Sequence, residues 1–118
     1  MAHVFQVGAG SGGMPVLDMV ARNAAVSRVT LVEPDVYKPH NVARHLFPPS
    51  AVGELKANLA ERWLRERRPD LDVRLLVCDL MAPEWQARIE EAARSADIGE
   101  ARVDQGFYLL LAELAARD

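Results

Sequence analysis

The chain has 118 residues, of which 50% are hydrophobic and 26% charged, so it is long enough for one globular domain and too short for two. Its net charge of −3 does not indicate a broadly basic surface, so we expect no nucleic-acid partner. The single cysteine, Cys78, excludes an internal disulfide and a four-cysteine zinc site, and we expect it to be a buried structural thiol. No apolar run approaches the about 20 residues of a membrane span. We therefore expect a soluble cytoplasmic protein.

The first third of the chain has the pattern of a strand, a helix and a second strand. The apolar run Val4–Val7 predicts a buried strand, and Met14–Ala25 predicts a helix with Pro15 in its first turn. The β-branched run Arg28–Val32 predicts a second strand that ends at Glu33. A strand–helix–strand unit of about 30 residues requires a right-handed crossover, which predicts a parallel sheet.

The alternation continues after an irregular, proline-containing segment, residues 34–49. A loop of this length inside a small domain is usually functional or disordered. The later elements are predicted as a helix capped by Ser50 and running to about Arg67, a strand within Leu71–Leu80, a helix from Pro83 to about Ser95, a half-exposed or edge strand Ile98–Asp104, and a helix Phe107–Ala116.

A glycine-rich turn directly follows the first predicted strand. Gly8, Gly10 and Gly13 have the G-x-G-x-x-G spacing of nucleotide-binding turns. Gly8 permits the tight turn, Gly10 lets a phosphate approach the backbone, and Gly13 lets the helix pack close to the strand. The helix N-terminus adds free N–H groups and a partial positive charge. The turn alone leaves two interpretations open, a nucleotide site and a tight turn that serves only packing.

Polar residues downstream have a more specific spacing. They are Glu33-x-Asp35, then Asn41-x-x-Arg44, and then Gly53-x-x-Lys56-Ala57. With the glycine turn, this combination resembles the ThiF/MoeB/HesA family, the bacterial relatives of ubiquitin-activating enzymes. Each residue alone also has an ordinary structural explanation. Glu33 could be a strand-end carboxylate and Lys56 a solvated helix residue, while Asn41 and Arg44 could cap and brace their own loop.

The resemblance implies a site for ATP and Mg²⁺. Arg44 and Lys56 would steady the triphosphate while a carboxylate attacks the α-phosphorus and pyrophosphate leaves. Glu33 would accept hydrogen bonds from the ribose hydroxyls. Asp35 and Asn41 belong to the same nucleotide-binding pattern.

The metal site follows from a second part of the resemblance. Residues 96–105 align with a family strand whose last aspartate holds Mg²⁺, which places Asp104 at the metal position. This strand is more polar than the family's, so a surface aspartate is the alternative. The chain also departs from the family at His45, where many members have glutamine. Full members are longer, and Cys78 matches no family nucleophile.

We therefore predict an α/β fold over residues 1–118, with a Rossmann-like parallel sheet in the order 3-2-1-4 and helices on both faces. The domain would correspond to the nucleotide-binding half of the family. The predicted function is ATP-dependent adenylation of the C-terminal carboxylate of a ubiquitin-like or sulfur-carrier protein by a homodimer. One alternative is a non-catalytic nucleotide-binding or interaction module of the same fold. Another is an NAD-binding Rossmann domain, in which Asn41, Arg44 and Lys56 have no role.

Overall fold

The sheet has a parallel core of four strands with one short antiparallel addition. The computed structural model describes residues 2–103 and 106–107. The strands are β1 (Ala2–Val7), β2 (Val26–Val32), β3 (Asp72–Leu76), β4 (Ile98–Val103) and β5 (Gly106–Phe107). Their spatial order is β3-β2-β1-β4-β5. β1 runs parallel to β2 and β4, β2 runs parallel to β3, and β5 pairs antiparallel with β4.

Three helices cover the two faces of this sheet. They are α1 (Gly13–Ala21), α2 (Lys56–Arg67) and α3 (Gln86–Ser95). Short 3₁₀ segments span Pro39–Arg44, Pro49–Ala51 and Pro83–Trp85. The predicted α/β class with a Rossmann-like parallel sheet is thereby confirmed.

The side chains of β1 divide the core in two. Val4 packs in one cluster with residues of α1 and α2, whereas Phe5 and Val7 pack in another with Ile89 of α3. Successive strand residues point to opposite faces. Because helices cover both faces, the strand places apolar side chains on both of them. The prediction of helices on both faces is therefore correct.

Cys78 is buried beneath α3, as expected for a structural thiol. Burial raises the pKa of this thiol, and the nearby carboxylates of Asp79 and Glu84 raise it further. A raised pKa keeps the thiol protonated and poorly nucleophilic.

The predicted start of the second helix is wrong. α2 begins at Lys56, and no side chain caps it, so Ser50 is not its N-cap. The residues before it form a 3₁₀ turn, after which Gly53 takes a φ of 99° that ends any continuous helix. The first helix is also shorter than predicted and ends at Ala21, with Arg22 as its C-cap.

The carboxyl-terminal predictions are only partly covered by the structure. The predicted strand from Ile98 is present as β4. Phe107 belongs to β5, so the predicted closing helix does not begin there. The rest of that helix and Asp104 lie outside the described residues.

Candidate functional site

The glycine turn leaves β1 at the carboxyl end of the sheet, where the strand order reverses between β1 and β4. In open α/β sheets this is the position at which ligands bind. Gly8 has a φ of 101°, which only glycine adopts readily. A Cβ atom on Gly13 would lie 2.3 Å from the Gly8 carbonyl oxygen, so α1 packs against the strand only because Gly13 has no side chain. At Gly10 a Cβ would meet no atom within 4 Å, which leaves that side of the turn open.

The carbonyl oxygens of Gly8, Ala9 and Gly10 have hydrogen-bond partners within the protein. The Gly8 carbonyl accepts a hydrogen bond from Gln6 Nε2 at 2.9 Å, and the Gly10 carbonyl accepts one from the Met14 N–H at 3.0 Å. The Ala9 carbonyl lies 2.9 Å from His45 Nε2.

The N–H groups of the turn after Ala9 have no hydrogen-bond acceptor among the described residues. In the described part of the chain, no acceptor binds the N–H groups of Gly10, Ser11, Gly12 or Gly13, and no side chain caps α1. Four adjacent unsatisfied donors at the positive end of a helix can bind an anionic ligand such as a phosphate group.

Glu33 connects the end of β2 to this turn. Its carboxylate is buried, and Oε1 accepts the Ala9 N–H at 2.7 Å while Oε2 accepts the Asp35 N–H at 3.0 Å. A carboxylate has about four acceptor positions, so these two bonds leave capacity for ligand hydroxyls. The structure therefore gives Glu33 a role in ordering the turn that the sequence did not reveal. Its predicted ribose contact remains a prediction.

A short antiparallel pairing places the start of α2 beside the residues that follow Glu33. The Lys56 N–H donates to the Asp35 carbonyl at 2.9 Å, and the Tyr37 N–H donates to the Glu54 carbonyl at 2.8 Å. Lys56 itself is only 9% exposed. Its side chain makes no hydrogen bond or ion pair with any described residue. Because nothing in that range neutralises this cation, it is available to an anion at the turn.

Asn41 and Arg44 are used differently from Lys56. The Asn41 side-chain oxygen accepts the Lys38 N–H at 2.9 Å, and its own N–H donates to the Lys38 carbonyl. Asn41 therefore caps its own 3₁₀ segment. This is the structural explanation that the sequence left open beside nucleotide binding. Arg44 is exposed at the end of that segment and forms no salt bridge within the described ranges. The side chain of Asp35 is also exposed.

A cluster of the rings of Tyr37, His45 and Phe47 contacts the turn through His45, and sequence reasoning missed its importance. Tyr37 is fully buried, and its hydroxyl donates to the Phe47 carbonyl at 2.6 Å. The His45 ring stacks on Phe47 with a centroid distance of 4.5 Å and contacts the edge of Tyr37 at 5.1 Å. The sequence signal was the presence of three aromatic rings within one irregular loop.

His45 is held as a neutral imidazole by its neighbours. The Leu46 N–H donates to Nδ1 at 3.0 Å, so the ring proton belongs on Nε2, which donates it to the Ala9 carbonyl. Burial lowers the pKa of His45, and the positive charge of Lys56 lowers it further, against an opposing contribution from the Ala9 bond.

We predict that the protein loses stability when the pH falls below the ordinary histidine pKa of 6.5. Burial lowers the pKa of both His3 and His45, so below pH 6.5 the unfolded chain binds protons that the folded chain does not. Their contribution is present above pH 6.5 and is lost as the pH falls through that value toward the folded-state pKa. Urea unfolding at about pH 7.5 and about pH 5.5 measures the effect.

The matched variant for this prediction is His45→Gln, whose amide can still donate to the Ala9 carbonyl. Its stability should depend less on pH than that of the wild type. An unchanged pH dependence in this variant would show that His45 does not contribute.

A separate polar cavity lies at the opposite, amino-terminal end of the sheet. Its volume is about 390 Å³, and it is lined by His3, Ser27, Arg28, Asp72, Ser95 and Asp97. Arg28 is already paired there with Asp72 at 2.8 Å, and both nitrogens of His3 have hydroxyl partners. The turn, with its open donors, is therefore the stronger candidate for a functional site.

Neither a membrane-spanning helix nor a metal cluster is present in the part of the chain that the structure covers. No helix there is long and apolar enough to span a bilayer. No group of three or more His, Cys, Asp or Glu side chains there is arranged to hold a metal ion, and Asp104 is not among the residues covered.

The fold and the turn define a Rossmann-like α/β domain with an open helix N-terminus at the switch point of the sheet. A model of the ThiF family matches residues 1–99. The chain belongs to the ThiF family. No curated protein sequence matches it at a significant level.

Solved structures share this fold at low sequence identity. The E. coli tRNA N6-threonylcarbamoyladenosine dehydratase TcdA, in complex with AMP, matches with a TM-score of 0.77 and 23% identity over 98% of this chain and 46% of that chain. The E. coli protein MccB with ATP matches with a TM-score of 0.72 and 22% identity over 88% of this chain and 30% of that chain. The microcin C7 biosynthetic enzyme MccB, in complex with N-formylated MccA, matches with a TM-score of 0.72 and 22% identity over 88% of this chain and 29% of that chain. The chain spans less than half the length of these proteins.

Proposed function

We propose that this chain binds ATP at the glycine turn and that the ATP is used to adenylate a carboxylate. The observation that carries the proposal is the row of four N–H groups at the start of α1 that no described residue satisfies. Lys56 begins α2, which packs in the same core cluster as α1, and it has no anionic partner in the described residues. Dipolar donors beside an unneutralised cation match the charge of a polyphosphate.

The proposed reaction needs little from the protein besides positioning and charge. A carboxylate oxygen of the substrate attacks the α-phosphorus, and the bond from that phosphorus to the bridging oxygen breaks. Pyrophosphate leaves, and the product is an acyl-adenylate. The attacking carboxylate is already ionised at neutral pH, so no general base is required. Lys56, and Arg44 if its exposed side chain turns inward, would stabilise the charge on the phosphates.

Mg²⁺ is the cofactor that the family implies, and it supplies charge neutralisation on the phosphates when it is bound. Among the described residues, no group of three or more His, Cys, Asp or Glu side chains could surround a metal ion. That is compatible with an ion that keeps phosphate and water ligands and takes one carboxylate from the protein. We propose Asp104 for that ligand.

We propose the C-terminal carboxylate of a ubiquitin-like or sulfur-carrier protein as the substrate and a homodimer as the working form. Support for a peptide or protein substrate comes from MccB, which was solved in complex with N-formylated MccA. TcdA, named as a tRNA N6-threonylcarbamoyladenosine dehydratase, indicates that the same fold also occurs with a different substrate class. The fold alone therefore does not select the substrate.

A second candidate is a nucleotide-binding module without catalysis. It is favoured by Asn41, whose side-chain oxygen is engaged in its own 3₁₀ segment, and by the exposed position of Arg44. In this case the chain binds ATP but transfers no adenylate.

Exchange of labelled pyrophosphate into ATP, dependent on an added carrier protein, tests the catalytic proposal. Calorimetric titration with ATP, AMP and NAD tests binding separately. ATP binding with exchange supports adenylation, and ATP binding without exchange for any candidate carrier supports the module. A preference for NAD over ATP would contradict both and favour the NAD-binding alternative.

A further inference from the structure

Gln6 is a buried polar residue near the end of β1, directly before Val7 and the glycine turn. It is fully buried, and its side chain reaches the face of the sheet that α1 covers. Its Nε2 group donates to the Gly8 carbonyl at 2.9 Å and to the Gly13 carbonyl at 3.0 Å. One amide group therefore ties the first glycine of the turn to the last.

Gln6 shares control of one peptide group with Glu33. The peptide between Gly8 and Ala9 has its carbonyl held by Gln6 Nε2 and its N–H held by Glu33 Oε1 at 2.7 Å. A peptide group that is bound on both sides cannot rotate without breaking one of these bonds. The Gly13 carbonyl fixes the other end of the turn to the same side chain. The open N–H groups lie between these two fixed points.

The second polar atom of Gln6 shows that packing alone does not explain the residue. Gln6 Oε1 is buried and has no hydrogen-bond donor among the described residues. Turning the amide over would place this oxygen against two carbonyl oxygens, so the partners determine its orientation. An apolar residue of similar size would fill the same space without leaving a buried oxygen unsatisfied. The advantage of glutamine here lies in its two N–H donors.

We propose that Gln6 is a positioning residue that holds the glycine turn in its anion-binding shape. It acts through the Gly8 and Gly13 carbonyls and does not touch the ligand. The proposal rests on the proposed function only for the identity of the ligand, a nucleotide polyphosphate; the geometry of the turn is independent of it.

The first test needs no nucleotide. Gln6→Met keeps the length of the side chain and removes both donors, and Val73→Ala is the control, because Val73 is buried in the same core but lies on β3, two strands from the turn. Amide hydrogen exchange of the Ala9 N–H should become about 10-fold faster in Gln6→Met than in Val73→Ala. The Phe5 amide in the middle of β1 should show no such difference. Equal exchange of Ala9 in the two variants would overturn the proposal.

The second test separates positioning from general destabilisation. Gln6→Met should bind ATP and ADP about 10-fold more weakly than Val73→Ala does, with no difference for adenosine, because only the phosphates contact the turn. Gln6→Leu repeats the comparison if the methionine variant does not fold. Unchanged ATP affinity in a folded variant, or an equal loss for adenosine, would overturn the proposal. Absence of nucleotide binding by the wild type would refute the proposed function, and the Ala9 exchange rates would still decide the role of Gln6.

Discussion

Replacing Gly13 with alanine is expected to cost about 3 kcal/mol or more of unfolding free energy, and with the marginal stability of small domains it can prevent folding. The added Cβ would lie 2.3 Å from the Gly8 carbonyl oxygen and 2.9 Å from its carbon. Both are backbone atoms, so no flexible side chain can move aside. Relief requires α1 to shift away from β1, which would also break the Gln6 bond to the Gly13 carbonyl. Urea unfolding followed by the fluorescence of Trp63 and Trp85 measures the loss on both faces of the sheet.

Gly10→Ala is the matched control for this prediction. Its Cβ would meet no protein atom within 4 Å, so the unfolding free energy should change by less than about 1 kcal/mol. The same methyl group would occupy the open side of the turn and should weaken ATP binding. If Gly13→Ala is as stable as Gly10→Ala, Gly13 does not pack against the Gly8 carbonyl as closely as the structure shows. If Gly10→Ala binds ATP normally, phosphate does not approach the turn at this residue.

Replacing Lys56 with methionine is expected to weaken ATP binding by about 10- to 100-fold, while leaving the fold intact. A hydrogen bond to a charged group contributes about 1.5–3 kcal/mol, which corresponds to that range of affinity. Stability should hardly fall, because the ammonium group has no partner within the described chain and methionine has a similar length. Calorimetric titration with ATP measures the affinity, and urea unfolding measures stability.

Lys38→Met is the control, because Lys38 is the other lysine of the chain and is exposed. It removes the same charge from the protein without changing the proposed site. If the two variants lose ATP affinity equally, the effect is one of net charge and not of a contact with Lys56. If Lys56→Met binds ATP as the wild type does, Lys56 is not a phosphate ligand.

The fold was largely predictable because its information is local. Short apolar and β-branched runs alternate with helical patterns, and this alternation determines a parallel α/β sheet. The start of α2 was not predictable for the opposite reason. Residues 50–55 carry a helical pattern of apolar residues, but their backbone pairs with the chain after β2, through the bridge between Val36 and Leu55. Tertiary hydrogen bonds prevail there over local propensity.

The sequence spacing predicted which residues belong to the candidate site, but it did not predict the hydrogen bonds between them. The glycine spacing predicted a turn with an open helix N-terminus, and the acidic residue at the end of β2 was identified at Glu33. No sequence pattern, however, indicates that Glu33 binds the Ala9 N–H while His45 binds the Ala9 carbonyl. These contacts depend on the path of a loop of irregular structure. Gln6 carried a signal, since a glutamine within a buried strand requires a hydrogen-bond partner.

The contacts that hold the glycine turn have a consequence for the order in which the chain folds. They join Ala9 to residues 24 and 36 positions away, and among the described residues the candidate site ends at Lys56. The entropy of loop closure grows only slowly with separation, and both contacts lie within the first half of the chain. The turn, β2 and the loop that carries His45 can therefore assemble while the later half of the chain is still being synthesised, with α3 and β4 then completing the other face of an already shaped site.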